Sequence, residues 1–139
     1  MASPVQTVTP SIATVAPMTA PSSTTSPPPC QGATVTVSGH EGSEPGPRCL
    51  LVGARLVVNL TMSSTAGGSH WQTPSSSDET VLRRASGGPT SNGGATASFD
   101  ALKVGRAMVS AATDAACFHT QPACEMASFV WRLQATVSG

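Results

Sequence analysis

The sequence contains no tyrosine, one isoleucine, one lysine and three phenylalanines in 139 residues. Leu, Ile, Val and Phe together number 24, while alanine alone numbers 19. So little bulky apolar material limits the chain to one small domain with a modest core. Long hydrophobic runs are also missing. No stretch approaches the roughly 18 apolar residues that a membrane-spanning helix requires. Charge of one sign is lacking too, since six arginines and one lysine are scattered among seven acids and sum to zero. That balance excludes the basic footprint of a nucleic-acid-binding surface. There is no Cys-x-x-Cys pair, and His40, His70 and His119 are too far apart to share a metal by local spacing, which argues against zinc.

Proline, serine and threonine are abundant, and unevenly placed. Residues 1–29 hold seven of the twelve prolines, eleven Ser or Thr residues and no charge. The apolar residues Val5, Val8, Ile12 and Val15 keep no regular period. Such a segment buries too little apolar area to offset backbone entropy, so an extended linker is expected over 1–29. It has neither the basic start nor the continuous apolar stretch of a signal peptide. Its composition suits a spacer between a domain at 30–139 and a lipid or cell-wall anchor upstream of the residues shown. The alanine-rich, arginine-over-lysine composition has a bacterial flavour.

Four cysteines, Cys30, Cys49, Cys117 and Cys124, all follow this segment. An even number in a small, weakly cored domain points to disulfides and an extracytoplasmic, oxidising compartment. Three pairings are possible. We favour Cys117–Cys124, which closes a short loop, with Cys30–Cys49 as the second bridge. Cys117, His119 and Met126 follow the order of blue-copper ligands. That scheme leaves one residue between Cys117 and His119 and strands Cys124, so no metal site or cofactor is assigned.

The remaining pattern is that of strands. Gly, Pro, Ser and Thr recur too often after Gln31 for helices of ordinary length. Phe129, Trp131, Leu133, Ala135 and Val137 alternate with polar residues, as do Ala95, Ala97, Phe99 and Ala101. Ala107, Val109 and Ala111 resume the pattern after a turn at Lys103 to Gly105. Further strands are expected at Ala33–Ser38, Ala54–Leu60, around Trp71 and at Thr80–Ala85. About seven short strands predict an all-β, immunoglobulin-like antiparallel sandwich. Leu56, Val58, Trp71, Leu82, Phe99, Val109, Trp131 and Leu133 are expected to point inward.

Catalytic chemistry finds no support. Ser69 and His70 with Asp78 or Asp114 supply the residue types of a hydrolytic triad, but no Gly-x-Ser-x-Gly elbow accompanies them. The carboxylates are too scattered for an acid–base pair. Gly87-Gly88 and Gly93-Gly94 lack the Lys-Ser/Thr of a phosphate-binding loop and read as a flexible connection. Asn59-Leu60-Thr61 matches a glycosylation sequon but falls inside an expected strand. We therefore expect a binding protein rather than an enzyme.

Three loops come in an informative order. Thr61–His70 runs directly into Trp71. Gly87–Gly94 leads into Ala95–Ala101. Asp114–Ala127 holds the Cys117–Cys124 loop and leads into the last strand. This layout, from about Val52 to Val137, resembles the chagasin family, immunoglobulin-like inhibitors of papain-type cysteine peptidases. The matching parts are Gly67/Gly68-Ser69-His70-Trp71, Val81-Leu82 and Phe99-Asp100-Ala101-Leu102-Lys103-Val104-Gly105-Arg106-Ala107. In that family the first loop carries Asn-Pro-Thr-Thr-Gly-Tyr-x-Trp and the third carries Arg-Pro-Trp. Here Ser64-Thr65-Ala66-Gly67-Gly68 keeps Thr and Gly but lacks the Asn-Pro start. A disulfide-closed loop with Phe118, His119, Gln121 and Pro122 replaces Arg-Pro-Trp.

The resemblance implies an extracytoplasmic inhibitor whose partner is a papain-type cysteine peptidase. Ser64, Thr65, Ala66, Gly67, Gly68, Ser69, His70, Phe118 and His119 are the candidate contact residues. Phe118 is the expected apolar anchor and His119 a polar contact. The alternatives are a non-inhibitory cell-envelope binding module and a structural spacer domain.

Overall fold

The computed structural model describes residues 29–139. Apart from Pro29, the linker expected over 1–29 lies outside the described residues. Among the described residues nine strands form two sheets. The first sheet has β1 (Thr34–Gly39), β3 (Arg55–Leu60), β7 (Ala95–Ala101) and β6 (Leu82–Pro89), in the order β1-β3-β7-β6. The second has β2 (Arg48–Leu51), β9 (Val130–Ser138), β8 (Gly105–Ala115) and β4 (Ser69–Trp71), with β5 (Ser75–Ser76) also pairing β8. Seven of these are the strands the alternation predicts, and β2 and β5 are additional. Most pairings are antiparallel, as expected of the sandwich. At two sheet edges, however, β1 pairs β3 and β2 pairs β9 in parallel.

The alternation explains the core. Ala95, Ala97, Phe99 and Ala101 of β7 are buried, and so are Trp131, Leu133, Ala135 and Val137 of β9. All eight residues expected to point inward do so, joined by Leu50, Leu60, Val81 and several alanines. Phe129 is the exception to the predicted period. It precedes β9 and remains 36% exposed, with its backbone paired to Thr113. The two tryptophans are placed differently. The Trp71 indole N–H donates to Thr61 O at 2.8 Å. The Trp131 indole nitrogen is buried without an acceptor, tight against Gly39, where a side chain would collide with it.

The second predicted loop is shorter than expected. Gly87, Gly88 and Pro89 belong to β6 and pair Ala97, Thr96 and Ala95. Proline is tolerated there because β6 is an edge strand whose outward N–H groups have no strand partner. A bulge at Ala85, between Arg84 and Ser86, shifts the register along this edge. What remains of the loop is Thr90–Gly94, a tight turn in which Asn92 (φ 58°) and Gly93 (φ 77°) are left-handed. Asn-Gly is the pair such a hairpin turn favours.

Both expected disulfides are present, Cys30–Cys49 and Cys117–Cys124, with no free cysteine. Two closed bridges are characteristic of chains that fold in an oxidising environment. No helix among the described residues is long and apolar enough to cross a membrane.

Candidate functional site

The strand directions sort the connections into two ends. The connections at 52–54, 77–81 and 102–104, each crossing from one sheet to the other, lie at the base. At the other end lie the first loop (61–68, between β3 and β4), the second (90–94, between β6 and β7) and the third (116–129, between β8 and β9). The β1–β2 connection begins at this end too, because Gly39 pairs Leu60.

The first loop occupies the middle. Its start is fixed by the Trp71 indole on Thr61 O and by Thr61 N donating to Gly39 O at 2.9 Å. Its far side is fixed by Ser69, which is buried and donates its hydroxyl to Ala66 O at 2.7 Å. Between them, Ala66–Gly68 make a tight turn, Gly68 N donating to Thr65 O at 3.0 Å, with Gly67 at φ 67° and Gly68 at φ 75°. Both glycines occupy left-handed backbone, which other residues rarely adopt. The turn leaves little room on its inner side. A Cβ on Gly67 would lie 2.6 Å from Met126 Sδ and 2.7 Å from Cys117 Sγ, and one on Gly68 would lie 2.7 Å from Ala116 Cβ. The first and third loops therefore touch through glycine on one side and the disulfide with Met126 on the other. On the opposite flank, Gly93 of the second loop lies against Ser69 O, Met62 and Thr65.

The third loop is tied to itself. Besides the disulfide, Cys124 N donates to Cys117 O at 2.9 Å, and the Thr120 hydroxyl reaches the carbonyls of Cys117 and Pro122. His119 Nε2 lies 3.0 Å from both carboxylate oxygens of Asp114. The hydrogen bond from His119 and the Ala115 N–H hold the Asp114 carboxyl below its ordinary range. The three loops thus meet at one end of the sandwich, and the contacts run from the second to the first to the third.

The candidate contact residues differ in how free they are. Ser64, Thr65, Ala66, Gly67 and Gly68 are exposed, whereas Ser69 is buried and acts as an anchor. His70 is exposed, and its Nδ1–H donates to Gly68 O at 2.9 Å. His119 is exposed but engaged with Asp114. Phe118 is half-buried and outside the core. It lines a groove of about 310 Å³ together with Met62, Met126, Phe129 and Asp114. Phe118 is therefore one wall of an open apolar groove rather than a projecting knob.

The residues weighed for other chemistries are otherwise engaged. Asp78 caps Thr80 in the connection at the base. Asp114 sits opposite His70 in the β4–β8 pairing, but its carboxylate is taken up by His119 Nε2 at 3.0 Å, and the Ser69 hydroxyl is committed to Ala66 O. Cys117 is consumed by its disulfide, which removes the thiolate a copper site needs. Among the described residues no three His, Cys, Asp or Glu side chains are grouped to hold a metal.

One member of this end was not anticipated. Glu41, in the turn after β1, reaches the first loop, and its carboxylate accepts the Ser63 N–H at 3.0 and 3.1 Å as well as the Ser63 hydroxyl. Nothing local in His40-Glu41-Gly42-Ser43 signals a contact 22 residues away.

No protein-family model matches the chain, and no curated protein matches it in sequence. In structure it is similar to the cysteine protease inhibitor EhICP2 from Entamoeba histolytica, at 9% identity and a TM-score of 0.53, over 76% of this chain and 96% of that one. It also matches the solution structure of amebosin (13% identity, TM-score 0.44, 78% and 99% of the two chains). A third match is the inclusion body protein PixA from Burkholderia cenocepacia J2315 (15% identity, TM-score 0.38, 65% and 59%). The sandwich expected from the chagasin resemblance is thus a fold this chain shares with a known cysteine protease inhibitor.

Proposed function

We propose that this chain is an extracytoplasmic inhibitor of papain-type cysteine peptidases that docks through the three loops at one end. The observation that carries this reading is the shape of the first loop. Ser64–Gly68 project between two anchors, Thr61 and Ser69, and turn back through two left-handed glycines. A peptidase cleaves a segment it can draw into an extended form. A loop pinned at both ends and packed on Cys117 and Met126 resists that extension, so it can sit over a catalytic thiol without offering a cleavable bond. Because it is already ordered, little further entropy is lost on docking. The second and third loops then form flanking contacts, with the Phe118 groove taking apolar surface of the partner. The fold shared with EhICP2 supports the same reading.

The start of the described domain suits a tether upstream of it. Cys30 is bonded to Cys49 beside Ser138, near the end of the sandwich opposite the loops. A spacer leading there from a lipid or cell-wall anchor leaves the loop end facing outward.

Steady-state inhibition of papain by the full chain tests the proposal. Competitive inhibition is expected, weakened by about 1 kcal/mol or more in Phe118→Ala and abolished by deletion of residues 66–68. Absence of inhibition by the intact, disulfide-bonded chain would overturn the peptidase reading and leave the envelope-binding or spacer alternatives.

A further inference from the structure

The turn after β1 is more than a connection. His40 N donates to the Ser43 hydroxyl at 2.9 Å, that hydroxyl donates to His40 O at 2.8 Å, and Ser43 N reaches the same carbonyl at 3.1 Å. Gly42, at φ 78°, closes the turn. These bonds hold Glu41 out toward the first loop, where both carboxylate oxygens converge on Ser63. Ser63 immediately precedes the projecting Ser64–Gly68 segment. Thr61 and Ser69 are secured by the core, but Ser63 is exposed and has no other hydrogen bond holding it.

We infer that Glu41 is a positioning residue for the first loop and that the β1–β2 turn is a fourth element of the docking end. The part concerning the partner rests on the peptidase reading, whereas the clamp on Ser63 stands independently of it. A carboxylate accepting one N–H and one O–H from the same residue fixes both its backbone and its side chain, which a single neutral bond does not. Burial of the carboxylate is slight and works against its charge. The Ser63 hydroxyl, the Glu41 and Ser63 backbone N–H groups and the nearby His40 outweigh it and hold the carboxyl below the ordinary glutamate range. The clamp is consequently set at neutral pH.

The experiment combines amide hydrogen exchange with papain inhibition on the full, disulfide-bonded chain. Glu41→Ala should speed exchange at Ser63 and its neighbours through Gly68 by about tenfold or more, the scale of a lost charged hydrogen bond. The melting temperature should stay within about 2 °C, because the bond is exposed and local. Glu44→Gln, in the same connection but without contact to Ser63, should change neither. Ser63→Thr keeps both donors and should preserve slow exchange, whereas Ser63→Ala should lose part of it. The Glu41→Ala/Ser63→Ala pair should be less than additive. Inhibition should weaken in step with exchange across the series. Unchanged exchange at Ser63 in Glu41→Ala would overturn the clamp, and faster exchange with unaltered inhibition would remove the turn from the docking end. Failure of the wild type to inhibit papain would overturn the peptidase reading alone, since the exchange result decides the clamp by itself.

Discussion

Replacing Gly67 with alanine probes the contact on which the loop assembly depends. The backbone there is left-handed, at φ 67°. A residue with a Cβ loses about 1–2 kcal/mol in that conformation. The added methyl would also come within 2.6 Å of Met126 Sδ and 2.7 Å of Cys117 Sγ. Met126 can swing its terminus away, but the disulfide sulfur cannot move without its loop. Overpacking of this kind adds roughly 1–3 kcal/mol. The sum, about 2–5 kcal/mol, is more than the contact between two surface loops can absorb. The first loop should therefore lift off the third while the sandwich stays folded. Chemical denaturation should show a loss smaller than that sum, and papain inhibition should fall by at least about tenfold, equivalent to 1.4 kcal/mol. Gly88→Ala is the matched control, since a Cβ there meets nothing within 4 Å. It should be neutral or slightly stabilising through the unfolded state. If Gly67→Ala changes neither stability nor inhibition, the two loops do not pack as described.

The two tryptophans should respond differently to removal of one N–H. Trp71→Phe leaves Thr61 O without its donor and should destabilise by about 1–3 kcal/mol. Trp131→Phe removes a donor that has no acceptor and should cost less, while Trp131→Ala should cost about 3–5 kcal/mol. Thermal unfolding followed by circular dichroism distinguishes the three. Replacing both Cys117 and Cys124 by serine should cost about 2–3 kcal/mol by the loop-entropy estimate for an eight-residue ring, measured as a shift in denaturation midpoint. The same change should impair inhibition more than stability, because the bridge shapes the third loop. In an NMR titration, the Ser63 amide should report a carboxyl midpoint below the ordinary glutamate range. A carboxyl whose value is lowered by folding adds stability above its unfolded value, and the clamp is lost as pH falls through the lowered one. A midpoint at or above the ordinary range would contradict the clamp.

Much of the fold was legible because period-two alternation reports which face of a strand is dry. In β7 and β9 it named the buried residues one by one. It failed at Phe129 because that residue precedes the strand, where the period no longer applies. Alternation carries no information about strand direction, so the parallel pairing of β1 with β3 and of β2 with β9 could not be read from it. β2 and β5 were missed because they are short, and β2 buries only Leu50. Gly87-Gly88-Pro89 looked like a loop because these residues usually break structure. On an edge strand their missing side chains and missing N–H cost little.

At the candidate site, the glycines of the first loop and the pairing of the cysteines were visible in local spacing. The burial of Ser69 was not, because it depends on what the first and third loops press against each other. Glu41 was invisible for a similar reason. A single acid in a connection becomes informative only when the turn around His40 and Ser43 aims it at a distant backbone.

The central claim is that the three loops, with the turn that supports them, form one docking surface. Hydrogen-exchange footprinting of the chain bound to papain tests it most directly. Slowed exchange should appear in residues 61–70, 90–94 and 114–127 and be absent from the base connections at 52–54, 77–81 and 102–104. Protection confined to the base, or to an outer sheet face, would contradict the account.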